Sequence, residues 1–172
     1  MAVQNSALID SDNSVFSVLG FIRLQLFNGY LWQGSDISEP TAQGAAFYAF
    51  ENPPVDSVAS ITVVDVTGDE YEPSISNITA DQVAEIDMQL KEGASSQLEV
   101  VNWVSSTLNV SDGVQSLVTL YVVKERERYW QSVALRLEHN ERKFVVVGMF
   151  DIQKAEPLAG LIFNSVQRIS FL

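Results

Sequence analysis

The chain has 172 residues, 47% hydrophobic and 19% charged, a length and balance that exclude a disordered polypeptide and suit one globular domain. It has no cysteine, which rules out disulfides, thiolate nucleophiles and thiolate metal sites. The net charge of −12 is uneven: residues 1–100 carry 15 acids against Arg23 and Lys91 (−13), and residues 101–172 carry seven against eight Lys/Arg (+1), so an acidic lobe argues against nucleic-acid binding.

Residues 1–14 are polar and predict a flexible N-terminal arm ahead of one α+β domain over residues 15–172. The arm has no basic n-region or cleavage signature. As it stands the sequence reads as cytoplasmic, or as periplasmic or lumenal if a leader was removed. No apolar stretch approaches the roughly 20 residues of a membrane span. From Val15 to Phe27 apolar and polar residues alternate, with Ile22, Leu24 and Leu26 on one face, and Gly20 marks a bulge or a break between two short strands. Asn28-Gly29 signals a turn. Residues 33–44, rich in Gly, Ser and Asp, read as loop.

Strands are expected over Ala45–Phe50 and Val58–Val66, separated by Asn52-Pro53-Pro54, before an acidic turn at Gly68-Asp69-Glu70. Thr79 and Gln82 form a capping box that starts a helix, with Val83, Ile86 and Leu90 on its apolar face and Gly93 placed to end it. Strand character resumes at Leu98–Val104 and Thr107–Val110, and Ser111-Asp112-Gly113 turns the chain into Val114–Val123. The run Lys124–Arg128 is a turn or a strand end; as a strand it would put Lys124, Arg126 and Arg128 on one face, which deters edge pairing or meets an acidic partner. Tyr129–Leu137 alternates, and Lys143–Phe150 is apolar enough for a central strand covered on both faces. A last helix starts near Glu156, with Pro157 in its first turn, and an apolar end of Phe171 and Leu172 packs down after it.

No glycine-rich phosphate loop, dinucleotide fingerprint or nucleophile elbow is present, and no cofactor is expected. His139 falls in a hairpin turn, where solvent exposure suits it less to catalysis than a cleft would. The densest oxygen donors are Asp65, Asp69, Glu70 and Glu72, candidates for a hard cation whose spacing matches no EF-hand. Tyr30, Trp32, Phe47, Tyr48 and Phe50 cluster in sequence, either as core or as a contact surface. Asn77-Ile78-Thr79 and Asn109-Val110-Ser111 match the glycosylation triplet, a pattern common by chance.

The order capped helix, strand, turn, strand, strand, "ERKFVVVGMFD" and closing helix "PLAGLIFNSVQRISF" over residues 78–172 resembles the PsbP-like superfamily, which includes the DcrB-like proteins. The tail Ser165–Phe171 is similar to the family's ending, and "FNGYLWQG" at 27–34 matches its early pattern loosely. The resemblance implies an α/β/α sandwich, mostly antiparallel with two main helices, and a non-catalytic accessory, adaptor or chaperone-like protein. Its partner would be a protein with a basic surface, met by the acidic first half. Tyr30, Trp32, Tyr48, Asp69 and Glu70 are the contact candidates. The alternatives are a small-ligand or cation-binding domain and a hydrolase with a carboxylate pair.

Overall fold

In a computed structural model, residues 7–9, 15–38, 42–51, 56–111 and 114–171 are described. Eight antiparallel strands form the central sheet, in the order β1-β4-β5-β6-β10-β9-β8-β7. They are β1 (Ala7–Ile9), β4 (Leu31–Ser38), β5 (Gln43–Phe50), β6 (Ser57–Asp65), β7 (Glu99–Ser111), β8 (Val114–Glu125), β9 (Arg128–His139) and β10 (Arg142–Asp151). A second sheet of three strands pairs β11 (Ser170–Phe171) with β3 (Ile22–Gln25), and β3 with β2 (Val15–Val18). Helices α1 (Ala80–Gln97) and α2 (Ala155–Gln167) lie on opposite faces of the large sheet. The result is the expected α+β sandwich, with α2 and the small sheet on one side and α1 on the other.

The main core lies between the large sheet and α2. Ile61, Val63, Val133, Phe144, Val146 and Phe150 point from the sheet toward Leu158, Ile162 and Val166 of α2. Ile22 and Leu24 of the small sheet complete it, both fully buried. Gly148 explains the close fit of α2, since a Cβ there would lie 2.6 Å from Ile162 Cγ2 and 2.9 Å from Val166 Cγ2. A smaller core on the opposite face joins Ile75, Ile86 and Leu117. Val145 is also buried, so β10 is covered on both faces as its apolar run requires.

Several expectations need correction. Ala7–Ile9, placed in the arm, form β1 and pair with Trp32–Gly34; the other residues of 1–14 lie outside those described. The glycine- and serine-rich stretch 33–44 is mostly strand, because small polar residues are tolerated toward the edge of a sheet. Gly44 is required there by close approach: a Cβ would sit 2.1 Å from the Val63 carbonyl oxygen. Gly93 does not end α1, which runs on to Gln97. The two expected strands Leu98–Val104 and Thr107–Val110 are one strand, β7, interrupted by bulges after Val100 and Val104. Lys124–Arg128 does not form one basic face: Arg126 has φ 56°, and the chain turns there into β9.

Other expectations hold. Thr79 Oγ1 accepts from Gln82 N at 3.4 Å, and Gln82 Oε1 accepts from Thr79 N at 2.7 Å. Leu19 and Gly20, both at positive φ, break the first alternating segment into β2 and β3. Gly29 takes φ 95° in the Asn28-Gly29 turn. Asp112-Gly113 and the Pro53-Pro54 breaker lie outside the described residues.

Candidate functional site

The residues proposed from sequence fall on different sides of the large sheet. Trp32 is fully buried on the α2 side, where its Nε1 donates to the Phe27 carbonyl at 3.0 Å and its ring meets Phe27 edge-on. Tyr30 packs edge-on against the same Phe27. Tyr48 points the other way: it sits opposite Ser60, which sits opposite Met149, on the face that carries α1. Register continues that row through Ser132 and Tyr121 to Trp103, whose ring stacks on Tyr121 at 5.1 Å.

The acidic segment is held by bases from the second half of the chain. Arg142 Nη2 donates to Asp65 Oδ2 at 2.6 Å, and Arg136 Nε donates to Glu72 Oε2 at 3.2 Å. Burial pushes the Asp65 carboxyl up, but hydrogen bonds from Thr67 and the Arg142 charge outweigh it and leave the pKa lowered. Asp69 accepts from the Tyr71 backbone N–H, and Glu70 is exposed. Among the described residues no group of three or more His, Asp or Glu side chains is placed to hold a metal. Glu72 and Glu138 act as clamps that fasten the segment after β6 across the α1 face, Glu138 by accepting from Ser74 Oγ and Ile75 N, while Asp65 at the end of β6 meets Arg142 on the α2 face.

The α1–β7 end of the molecule is different in kind. β7 pairs with β8 alone, so its outer edge is free among the described residues. Met88 on α1 is 64% exposed and Val110 on β7 is 66% exposed. Leu98, Val101 and Val104 between them are also exposed. Asp81, Glu85, Glu92 and Glu99 are carried by the same two elements. Asp87 fixes the helix to the strand: its Oδ1 accepts from Trp103 Nε1, Ser106 N and Ser106 Oγ at 3.1, 2.7 and 2.6 Å. Burial raises the Asp87 pKa, but these three donors and the Lys91 charge prevail and hold it below the ordinary carboxylate value.

A cleft of about 840 Å³ opens on the other face, where α2 stops short of β8 and β7. Its floor is Val118 and Leu120 of β8 with Val133, Leu135 and Leu137 of β9. Phe163 and Val166 of α2 form one wall, and Ile169 and Phe171 extend it. Phe171 stacks on His139 at 4.8 Å and meets Phe144 at 5.8 Å, so it packs down as expected, while Leu172 lies outside the described residues. Sequence reading missed this cleft, because the alternation that lines it is indistinguishable from a core-facing pattern.

No family model matches the chain, and no curated protein does. Among solved structures, the solution structure of cyanobacterial PsbP (CyanoP) from Synechocystis aligns with a TM-score of 0.58 at 13% identity. The match covers 99% of this chain and 94% of that one. The fold is PsbP-like. The likeness runs through residues 15–77 as well as the second half, so the PsbP-like architecture takes in both meanders of the large sheet. A Pseudomonas aeruginosa protein of unknown function aligns with a TM-score of 0.49 at 11% identity, over 90% of this chain and 93% of that one. No described helix is long and apolar enough to cross a membrane.

Proposed function

We propose that this chain is a non-catalytic accessory module that works by binding another protein along its α1–β7 end. The observation that carries the reading is the run Leu98, Val101 and Val104, exposed large apolar side chains close together where α1 passes into β7 beside an unpaired strand edge, with Met88 exposed on α1. Exposed apolar side chains concentrated in one place are the usual mark of a contact surface, whereas scattered ones carry no meaning. The acids of α1 and β7 favour a partner with a basic rim: residues 80–111 hold Asp81, Glu85, Asp87, Glu92 and Glu99 against Lys91, a balance of −4. Tyr48, Asp69 and Glu70 are outlying contacts of the same surface. Tyr48 stands on the α1 side of the sheet, and the segment bearing the two acids crosses it. The PsbP-like fold is compatible with such a role without proving it.

Pull-down from native extract at low and high salt, with wild type and the double variant Val101→Lys and Val104→Lys, tests the reading. A partner retained by wild type, weakened by salt and lost by the variant at unchanged thermal stability is the expected result. Equal recovery by both proteins removes the α1–β7 end as the contact surface.

A further inference from the structure

The cleft beside α2 has a chemical gradient along its length. Cross-strand pairs set it out in order: Leu120 with Val133, then Val118 with Leu135, then Ser116 with Leu137. Gln115 pairs with Glu138, and the next residues, Val114 and His139, both enter the lining. Asn109 of β7 pairs with Ser116 and enters the lining at the same end. The end bounded by Leu120, Val133, Phe163 and Val166 is therefore wholly apolar. The other end gathers Asn109, Ser116, His139 and Ser170.

Two further features narrow what fits. Among the described residues no Asp, Glu, Lys or Arg lines the cleft, which matters in a chain of charge −12. The polar end is rich in hydrogen-bond donors, with the Asn109 amide, the Ser116 hydroxyl and the His139 ring together in the lining. From Val114 to Leu120 the floor spans six strand steps, about 20 Å, the length of an extended long-chain acyl tail. The volume lies within the usual range of ligand pockets.

We infer that this cleft binds a single-chain amphipathic molecule, a long-chain fatty acid or its close analogue, with the tail toward Leu120 and Val133 and the anionic head at Asn109, Ser116 and His139. The donors at the polar end satisfy the carboxylate, while the apolar floor and the rings of Phe163 and Phe171 take the chain out of water. This is a ligand of different class from the protein partner proposed for the α1–β7 end, and it rests on different residues.

Calorimetric titration of the full chain with oleate, below its micelle concentration, is the test. Saturable binding near one molecule per chain is expected, with a rise in thermal midpoint as oleate exceeds its dissociation constant. Val118→Trp, which fills the floor, should weaken oleate at least tenfold. Ser116→Asp places a carboxylate at the polar end, with circular dichroism to check that the variant folds; it should weaken oleate several-fold and leave oleyl alcohol unchanged. Non-saturable binding, or saturable binding that neither variant alters, overturns the proposal. Equal loss of oleate and oleyl alcohol in folded Ser116→Asp overturns the orientation of the head. A concentration-dependent dimer that Val118→Trp abolishes and oleate does not would assign the cleft to a second copy of the chain instead.

Discussion

Asp87 shows how one side chain joins two elements. It stands on α1, yet all three donors it accepts belong to β7. Removing it leaves the Ser106 N–H and the Trp103 indole N–H without their acceptor, and Ser106 is itself buried against Thr119 at 2.7 Å. Asp87→Ala should therefore cost about 1–2 kcal/mol, the half-exposed position moderating the loss. Glu92→Ala, exposed on the same helix, should stay within about 0.5 kcal/mol. Urea unfolding of the two variants beside wild type checks both values. None of this was legible in the sequence, where Asp87 is one acid among 22 and its partners lie 16 and 19 residues away. The capping box of Thr79 and Gln82 was legible, because that interaction closes within four residues.

At the scale of elements, two glycines of similar appearance have opposite meanings. Gly148 lies under α2, where an added methyl meets Ile162, Val166 and Val133 at 2.6 to 3.1 Å. Those β-branched side chains have little rotamer freedom to retreat, so Gly148→Ala should lift α2 and cost about 1–3 kcal/mol. Gly93 lies inside α1 with nothing within 4 Å of an added Cβ. Gly93→Ala should add about 0.5–1 kcal/mol, since alanine loses less backbone entropy in a helix. Opposite shifts in thermal midpoint for these two variants would check the assignment of both helices. The sequence carried the existence of α1, α2 and most strands through periodicity and caps. It misread Gly44 as loop and Gly93 as a terminator, because a glycine that serves close packing and one that serves a turn look the same before the neighbours are known.

For the whole molecule, acid is the informative variable. Asp65, Asp87 and Glu138 all have folded-state pKa values below their unfolded ones, burial being outweighed in each by hydrogen bonds and nearby positive charge. A lowered folded pKa contributes stability above the unfolded value of about 4, and that contribution disappears as pH falls through the folded value. Opposing it, a net charge of −12 repels itself near neutrality, and mild acid relieves that strain. Thermal midpoint should therefore hold or rise slightly from pH 7 to about 5 and then drop below about pH 4. A midpoint that keeps rising below pH 4 would mean that Asp65, Asp87 and Glu138 contribute little. The uneven charge was legible from the first, but not its resolution. Arg136 and Arg142 of the second half turn toward Glu72 and Asp65 of the first, so part of the acidic lobe is neutralised across the fold.

The pairing of the large sheet has a consequence for how the chain assembles. Of its seven strand pairs, five join strands consecutive in the chain, from β4 to β6 and from β7 to β10. Those two meanders form on short loops. The seam between them is β6 with β10, where Ala59 meets Phe150 and Asp65 meets Phe144, and a second seam joins β3 to β11 on the covering layer. Loop-closure entropy, which rises only slowly with loop length, is thus concentrated in three encounters, these two seams and the pairing of β1 with β4, rather than spread over the sheet. The ion pairs Asp65–Arg142 and Glu72–Arg136 join the first half of the chain to the second near that seam, so they can close only once the two meanders have met.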